Sequence, residues 1–318
     1  MIRSKIELNG VVLPTSIYSD GSVDVTILNT ALNGNSNPNY SLLTADIVDS
    51  AGIIGLLQVL EYFKEKGLKV DLALSYLPNA RQERTQELED RVKPNTFKAF
   101  ARCLSLYKEE ILNLLVVDPH STVNVEILSE LGFKVRVHEL ADLCPPVTNM
   151  DYIIAPDEGA TYRAKLLADK YNVPLLIANK ERDPITKAIK LSFNTHIDLE
   201  GDHVLVVDDL IDYGASVHEL TKSLKQDYKV RHISVFVTHA ILPENLRINP
   251  PSRTSFALQY VNLFYCHNLF DLEETGLVGS IKGQKIYIYG SNSVGKTFQS
   301  MKLPKALRTL VSSNFLVF

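Results

Sequence analysis

The sequence predicts an α/β protein with two domains, each of them a mostly parallel sheet flanked by helices. Short apolar segments typical of buried strands alternate with segments of helical periodicity along most of the chain. Pro145 and Pro146 indicate a domain boundary, because paired prolines suit neither a helix nor a central strand. The alternation starts again after them. The length of 318 residues also fits two domains of about 150 residues each.

In the first domain, predicted at residues 1–146, short apolar runs predict strands, and apolar residues at helical spacing predict helices. The Asn-rich segment Ala31–Tyr40 is predicted to be a loop. The predicted strands are Ile6–Leu13, Val23–Leu28, Val70–Leu74, Leu114–Val117 and Lys134–His138. The predicted helices are Leu42–Phe63, Asn95–Tyr107 and Val123–Leu131.

The second domain, predicted at residues 147–290, repeats the alternation, and residues 291–318 are expected to pack back on the first domain. Val116-Val117-Asp118 and Val206-Val207-Asp208 form a weak internal repeat, which reflects either two related domains or chance. The predicted strands are Tyr152–Ala155, Val173–Ala178, Ile189–Phe193, Val204–Val207 and Val230–Val237. The predicted helices are Ala160–Tyr171 and Ala215–Lys225.

Composition and charge exclude several classes of protein. The net charge of −4, without a basic block, argues against a nucleic-acid partner. No apolar run reaches the roughly 18–20 residues of a membrane span, and the charged residues 1–7 do not resemble a signal peptide. Because Cys103, Cys144 and Cys266 are far apart and in no metal-binding spacing, we expect reduced thiols in a cytoplasmic protein.

The segment His203–Ser216 carries the clearest indication of a binding site. Asp208 and Asp209 follow an apolar strand at its predicted carboxyl end, and a loop with Gly214 leads into a helix. In such sheets ligands bind beyond the carboxyl ends of strands, where a helix N-terminus can hold an anion. The acidic pair would repel a phosphate but suits sugar hydroxyls or a metal, so the segment predicts a pocket for a phosphorylated sugar. The alternative is a buried strand that ends in a solvated acidic turn.

Three further groups of polar residues follow predicted strands. Lys180 and Arg182, at i and i+2 in an extended chain, would point the same way and suit the charge on a transferring phosphoryl group; a solvated loop is the alternative. His120 and Asp157 are candidates for binding Mg²⁺, phosphate or a sugar hydroxyl, or else form a cap or a surface turn. Arg81-Gln82-Glu83-Arg84 offers amide and guanidinium groups to a base and to phosphates.

Gly290–Thr297 matches the Gly-x4-Gly-Lys-Thr pattern of a nucleotide phosphate loop. Such a loop needs a helix and several further strands after it. Because too few residues follow Thr297 to supply them, we expect this match to be coincidental.

Taken together, these stretches resemble the ribose-phosphate pyrophosphokinase family, in the family's order and from about Tyr18 to the C-terminus. His203–Ser216 resembles its sugar-phosphate signature, and Lys180-Glu181-Arg182 falls at its catalytic Lys-x-Arg. Its other motifs resemble Tyr18-Ser19-Asp20-Gly21, Leu77–Arg84, Asp118-Pro119-His120, Ala155–Gly159 and Thr238-His239.

The resemblance implies two phosphoribosyltransferase-like domains that hold ATP and Mg²⁺ between them. It implies that the C1 hydroxyl of a ribose phosphate attacks the β-phosphorus of ATP, which gives a sugar 1-pyrophosphate and AMP. It also implies a homodimer or a larger homo-oligomer, in which the turn Tyr18–Ser22 completes the ATP site of a neighbouring subunit.

By the same resemblance, Lys180 and Arg182 stabilise the transition state, whereas His120 and Asp157 help to bind Mg²⁺, ATP or the anomeric hydroxyl. The ATP-binding residues that it implies are Tyr18, Asp20, Arg81, Gln82, Arg84 and His120. The residues that it implies for the ribose and its 5′ group are Asp208, Asp209, Asp212, Tyr213, Gly214, Ala215 and Ser216.

The sequence departs from the family pattern at two site positions. Ser22 replaces a Glu of the first turn, and Tyr213 replaces the Thr that begins the 5′-phosphate loop. An aromatic ring can stack on a base, so our hypothesis is an acceptor extended at its 5′ end, such as ADP-ribose, whose product would feed nicotinamide nucleotide recovery. The alternative is that Tyr213 packs beside an ordinary ribose 5-phosphate site.

Two other functions share the predicted sugar pocket. A phosphoribosyltransferase would consume the sugar pyrophosphate, but the doubled domain and the Arg81-Gln82 segment argue against it. A non-catalytic regulatory homologue would be expected to lack the catalytic cations, and Lys180 and Arg182 are both present.

Overall fold

The computed structural model divides the chain between Glu139 and Leu140 into two compact units. The sequence predicts this boundary after residue 146, and residues 291–318, expected to pack back on the first domain, lie outside the described residues. Within the described residues, no helix combines the length and apolar character needed to cross a membrane. The structure describes residues 4–33, 41–144, 147, 149–182, 189–193, 195–212, 214–241, 260–261, 263–269, 280–281, 284–285 and 287–290.

Among its described residues, the first unit contains ten strands and four α-helices. The strands are β1 (Lys5–Leu8), β2 (Val11–Val12), β3 (Thr15–Ile17), β4 (Val23–Val25), β5 (Leu42–Asp46), β6 (Val70–Tyr76), β7 (Gln86–Leu88), β8 (Arg91–Lys93), β9 (Ile111–Val117) and β10 (Val135–His138). The helices are α1 (Asn29–Asn33), α2 (Ser50–Glu65), α3 (Thr96–Ser105) and α4 (Thr122–Glu130). Six strands form a sheet in the order β10-β9-β6-β5-β1-β2, and the others form the hairpins β3–β4 and β7–β8.

The second unit is built on a seven-stranded sheet in the described part of the chain. Its strands are β11 (Tyr152–Ala155), β12 (Leu175–Arg182), β13 (Ile189–Phe193), β14 (His203–Ile211), β15 (His232–Ala240), β16 (Leu263–Leu269), β17 (Ser280–Ile281), β18 (Gln284–Lys285) and β19 (Tyr287–Gly290). Its helices are α5 (Leu140–Leu143), α6 (Thr161–Tyr171) and α7 (Ala215–Gln226). The sheet order is β13-β12-β11-β14-β15-β16-β19, and β17 pairs with β18.

The predicted α/β class with mostly parallel sheets is confirmed. In each unit four parallel strands lie side by side in chain order, β5-β6-β9-β10 and β11-β14-β15-β16. Strand β14 shows why its residues are apolar on both faces. Val204 and Val206 join the core packed under α7, whereas Leu205 and Val207 join the core packed under α6. A strand covered on both faces has no polar face, which explains the continuous apolar run.

The two copies of the Val-Val-Asp repeat lie on strands with similar surroundings. Val116 and Val117 end β9, which has the parallel neighbours β6 and β10. Val206-Val207-Asp208 lies on β14, which has the parallel neighbours β11 and β15. Both copies are therefore near the carboxyl end of a strand inside a parallel sheet.

Several predicted elements of the first unit are wrong in extent: the predicted loop Ala31–Tyr40 begins within α1, and β4 ends at Val25 and not at Leu28. Asn9 and Gly10, with φ of 51° and 80°, turn the predicted strand Ile6–Leu13 into the hairpin β1–β2. Asn-Gly is the preferred sequence for such a tight turn, because both positions need a positive φ. The predicted helix Leu42–Phe63 instead begins at Ser50, after the strand β5, and the side chain of Asp49 caps it by accepting the backbone N–H of Gly52.

Two histidines are packed together at the amino ends of β14 and β15. The rings of His203 and His232 meet edge to face with centroids 4.5 Å apart. His203 Nδ1 donates to the carbonyl of Asn149 at 2.7 Å, and Nε2 then accepts from the hydroxyl of Ser234 at 2.9 Å. Burial lowers the pKa of His203; burial and the neighbouring His203 ring lower the pKa of His232. Both rings therefore favour the neutral form more strongly than a free imidazole does.

This packing predicts a pH-dependent contribution to stability. The stabilisation is fully present above the pKa of histidine in the unfolded chain, about 6.5. It is lost as the pH falls below that value towards the lower pKa of the folded protein, because the unfolded chain then binds the additional protons. We expect the free energy of unfolding of His203→Asn, measured with urea, to fall less steeply from pH 7.5 to 5.5 than that of the wild type. The exposed His196, changed to Asn, is the control. Equal slopes for His203→Asn and the wild type would contradict the prediction.

Candidate functional site at the carboxyl ends of the strands

The predicted site residues of the second unit come together at one edge of its sheet. Ile154 of β11 lies between Leu176 of β12 and Val206 of β14, and all three strands run parallel. Asp157, Lys180 and Asp208 each lie a few residues beyond these positions. The carboxyl ends of parallel strands meet at the same edge, which is where ligands bind in sheets of this kind.

Strand β14 is longer than predicted, so Asp208 and Asp209 lie within the strand and not after it. Consecutive strand residues face opposite sides. Asp209 is buried on the side of α6, where its Oδ2 lies 3.9 Å from Nη2 of the buried Arg163. The sequence prediction missed Arg163, because an arginine on a helix is usually exposed; its position among the buried helix residues Ala164 and Leu167 was the available signal.

Asp208 is mostly buried and has a perturbed carboxyl group. Its Oδ1 accepts the backbone N–H of Asp209 at 2.9 Å. Burial, and then the negative charges of Asp209 and Asp157, raise the pKa of Asp208 well above its ordinary value. A sugar hydroxyl that donates to this carboxylate would offset the lost solvation, so Asp208 is suited to hold a ribose.

The loop after β14 presents a helix N-terminus. Gly214 has a φ of 73° and is the N-cap of α7, which begins at Ala215. Glycine has no side chain with which to cap the first backbone N–H groups, and both Ala215 and Ser216 are exposed. This end of the helix is suited to bind an anion. Asp212 is half-buried beside it, and Tyr213 lies outside the described residues.

The two predicted catalytic cations lie on β12 and not in a loop after it. Beyond its parallel pairing with β11, β12 continues in antiparallel pairing with β13. Lys180 is opposite Leu191 and Arg182 is opposite Ile189 in this register. The strand therefore carries both residues past the edge at which β11 ends.

In the first unit, two predicted ATP segments follow the neighbouring strands β6 and β9. A short 3-10 helix, Ala80–Gln82, comes after β6 and leaves Arg81 and Gln82 exposed. Asp118 and His120 come after β9, buried and half-buried respectively. Arg84 is exposed, with Nε 3.8 Å from Oε1 of its neighbour Glu83.

The turn Tyr18–Ser22 is stabilised by hydrogen bonds among its own residues. The carboxylate of Asp20 accepts from the hydroxyl and the backbone N–H of Ser22, at 2.6 and 2.9 Å. These hydrogen bonds hold the pKa of Asp20 below its ordinary value. Ser22, which replaces the Glu of the family pattern, therefore stabilises this turn. Tyr18, at the start of the turn, is 57% exposed.

Asp157 is the candidate metal ligand of the second unit. It is exposed, and its Oδ1 accepts the backbone N–H of Ala160 at 3.2 Å, in the short 3-10 helix that precedes α6. In the described part of the chain, no three His, Cys, Asp or Glu side chains are grouped as metal ligands. Mg²⁺ needs no such group, because it is commonly held by one or two carboxylates with water and substrate phosphates.

The second unit is similar to a known family of domains. Residues 147–253 match the model of the family described as the phosphoribosyl transferase domain. The crystal structure of phosphoribosylpyrophosphate synthetase from Mycobacterium smegmatis superposes with a TM-score of 0.63, 16% sequence identity, and coverage of 87% of this chain and 85% of that one. This likeness confirms the fold.

Curated relatives of the chain share one description. Ribose-phosphate pyrophosphokinase from Saccharolobus solfataricus is 27% identical over 202 residues, which are 63% of this chain and 67% of the relative. That from Sulfurisphaera tokodaii is 28% identical over 197 residues, 60% of this chain and 65% of the relative. The chain thus spans about two thirds of the length of these relatives. The chain is thus similar to the ribose-phosphate pyrophosphokinases, in agreement with the resemblance seen in the motifs.

The pairing of Arg163 with Asp209 predicts the effect of removing the cation. Arg163→Met keeps most of the apolar stem but leaves a buried carboxylate without its neighbouring charge, so we expect the free energy of unfolding to fall by about 3 kcal/mol. The double variant Arg163→Met/Asp209→Asn removes both charges and should regain part of this loss. Urea unfolding followed by circular dichroism measures these values and that of Asp209→Asn alone. A double variant that loses the sum of the losses of Arg163→Met and Asp209→Asn would argue against a direct pairing.

Proposed function

We propose that the protein is an ATP-dependent ribose-phosphate diphosphokinase. It transfers the β,γ-pyrophosphate of ATP to the C1 hydroxyl of a ribose 5-phosphate-type acceptor and releases AMP. The observation that carries the proposal is the convergence of Asp157, Lys180 and Asp208 at the carboxyl ends of three adjacent parallel strands, next to the N-terminus of α7. The descriptions of the curated relatives support the same reaction.

Each group has a distinct part in this reaction. The Asp208 carboxylate accepts from the ribose hydroxyls, and the amide groups at Gly214–Ser216 receive the 5′ phosphate. Lys180 and Arg182 supply positive charge to the pyrophosphoryl group while it moves between oxygen atoms. Asp209 is suited to hold β14 and α6 together through Arg163, while Asp212 is the further ribose ligand of the loop.

The ATP side of the reaction belongs to the first unit in this proposal. Arg81 and Gln82, exposed after β6, and His120, after β9, contact the nucleotide. His120 and Asp157 are each candidate ligands that would hold Mg²⁺ with water and substrate phosphates, and a bound Mg²⁺ would neutralise charge on those phosphates. Asp157 fits this part because its carboxylate is exposed and close enough to Asp208 to raise that group's pKa.

A first experiment measures AMP formed from ATP and Mg²⁺ with ribose 5-phosphate or with ADP-ribose as acceptor. We expect AMP with at least one of the two, and turnover with ADP-ribose would favour the stacking role that we hypothesise for Tyr213. No AMP with ADP-ribose would exclude the extended acceptor. If ATP yields no AMP, and a free base with phosphoribosyl pyrophosphate instead gives a nucleotide and pyrophosphate, the protein is a phosphoribosyltransferase. That is the activity that the family match at residues 147–253 favours as second candidate.

A second experiment tests the catalytic cations. We expect Lys180→Ala to lower kcat by about 10²–10³, because a group that acts only on charge developing in the transition state affects turnover more than binding. Lys165→Ala, an exposed lysine of α6, is the matched control and should keep wild-type turnover. Full activity of Lys180→Ala would refute the assigned role, and a wild type without any turnover would favour the non-catalytic homologue.

We also propose that the protein forms a homodimer or a larger homo-oligomer whose interface includes the hairpin β3–β4. Ile17 and Tyr18, adjacent at its tip, are 46% and 57% exposed and together offer an apolar surface that a second subunit would cover. Light scattering of the wild type and of Ile17→Ser should show the larger mass for the wild type. A monomeric wild type would contradict this assembly.

A cytoplasmic location remains a prediction from the sequence.

A further inference from the structure

Asn124, in the first turn of α4, joins the two ATP-side segments of the first unit. It is fully buried. Its Nδ2 donates to the backbone carbonyl of Ala80 at 2.9 Å and to that of Pro119 at 2.8 Å. One side-chain amide thus connects the 3-10 helix that carries Arg81 with the loop that carries His120, across 44 residues of chain.

The orientation of this amide is defined by its neighbours. Two carbonyl oxygens face Nδ2, and the reverse orientation would place Oδ1 against both of them. Oδ1 is itself buried and has no hydrogen-bond partner among the described residues. An unpartnered buried oxygen costs about 1–3 kcal/mol, and the two hydrogen bonds donated by Nδ2 offset part of that cost.

The two segments that Asn124 joins have strained backbones. Asn79 has a φ of 60°, Asp118 of 39° and His120 of 59°, and none of them is a glycine. Such conformations cost about 1–3 kcal/mol each and persist where the surrounding structure imposes them. The hydrogen bonds from Asn124 lie next to all three positions in the chain, on Ala80 and Pro119.

A second asparagine holds the other end of the first segment. Asn95 Nδ2 donates to the carbonyl of Glu83 at 2.6 Å, while its Oδ1 caps α3 by accepting the backbone N–H of Lys98 at 2.7 Å. Arg81 and Gln82 therefore lie between two fixed carbonyl groups, those of Ala80 and Glu83. Of these two asparagines, only Asn124 also bonds the loop of His120.

We infer that Asn124 is a positioning residue for the nucleotide: it fixes Arg81 and Gln82 relative to His120 so that they engage ATP together. The inference rests on the proposed function, in which these residues bind ATP. It goes further in assigning their relative placement to one buried amide. Asn124 itself, fully buried, acts through the two backbone segments.

The test compares Asn124→Leu, which keeps the approximate size and removes the donors, with two controls. We expect its KM for ATP to rise about tenfold while KM for the ribose phosphate stays within about twofold. Asn95→Ser keeps a cap for α3 and releases only the Glu83 end, so its effect on KM for ATP should be smaller. Asn113→Ala removes another amide of this unit, which donates to Asp71 at 2.8 Å, and should leave both KM values unchanged.

Hydrogen exchange provides a readout that does not depend on activity. We expect Asn124→Leu to speed exchange in both segments, residues 79–83 and 118–121, and Asn95→Ser to speed it only in the first. If Asn124→Leu fails to fold, Asn124→Ser is measured in the same way. Unchanged exchange in the loop 118–121 would overturn the inference.

The kinetic outcomes separate this inference from the proposed function. A wild type that forms no AMP refutes the proposed function, and the exchange data then still decide whether Asn124 holds both segments. A wild type that forms AMP, with Asn124→Leu at unchanged KM for ATP, refutes the positioning role alone. A fall in kcat with both KM values unchanged would show that Asn124 serves only the stability of the fold.

Discussion

Parallel pairing of neighbouring strands is the constraint on which the candidate site depends. Because β12, β11 and β14 run in one direction, their carboxyl ends reach the same edge of the sheet. The chain leaves the sheet at that edge, and its polar groups can lie there without entering the apolar core. The same arrangement in the first unit brings the segments after β6 and β9 together.

The site of the second unit is also shaped by the cost of burying charge. Strand β14 carries Asp208 and Asp209 into a region where their solvation is reduced. Asp209 has the buried cation Arg163 beside it. Asp208 has a raised pKa, and the ion pairs of the described residues include no cation as close to it. A ligand with hydroxyl donors, or a cation brought by the substrate, would therefore interact most favourably with Asp208.

The first unit organises its polar segments through backbone geometry. Strained conformations at Asn79, Asp118 and His120 place side chains where regular structure could not. Buried amide groups that bond the adjacent carbonyls stabilise these conformations. Rigid placement of binding groups lowers the entropy that must be lost when a ligand binds, which connects this local structure to the proposed nucleotide site.

The sequence by itself determined the fold class, most of the regular elements and the residue types of the site. It did so because apolar periodicity reports burial, and because motifs such as Lys180-Glu181-Arg182 and His203–Ser216 are local. It did not determine where β12 and β14 end, since continued pairing with β13 and β15 extends strands past their apolar runs. Only the tertiary structure decided that Arg163 lies beside Asp209 and that Asn124 joins two distant segments. Those contacts are made by residues far apart in the chain, and neither residue type carries a local signal of its partner.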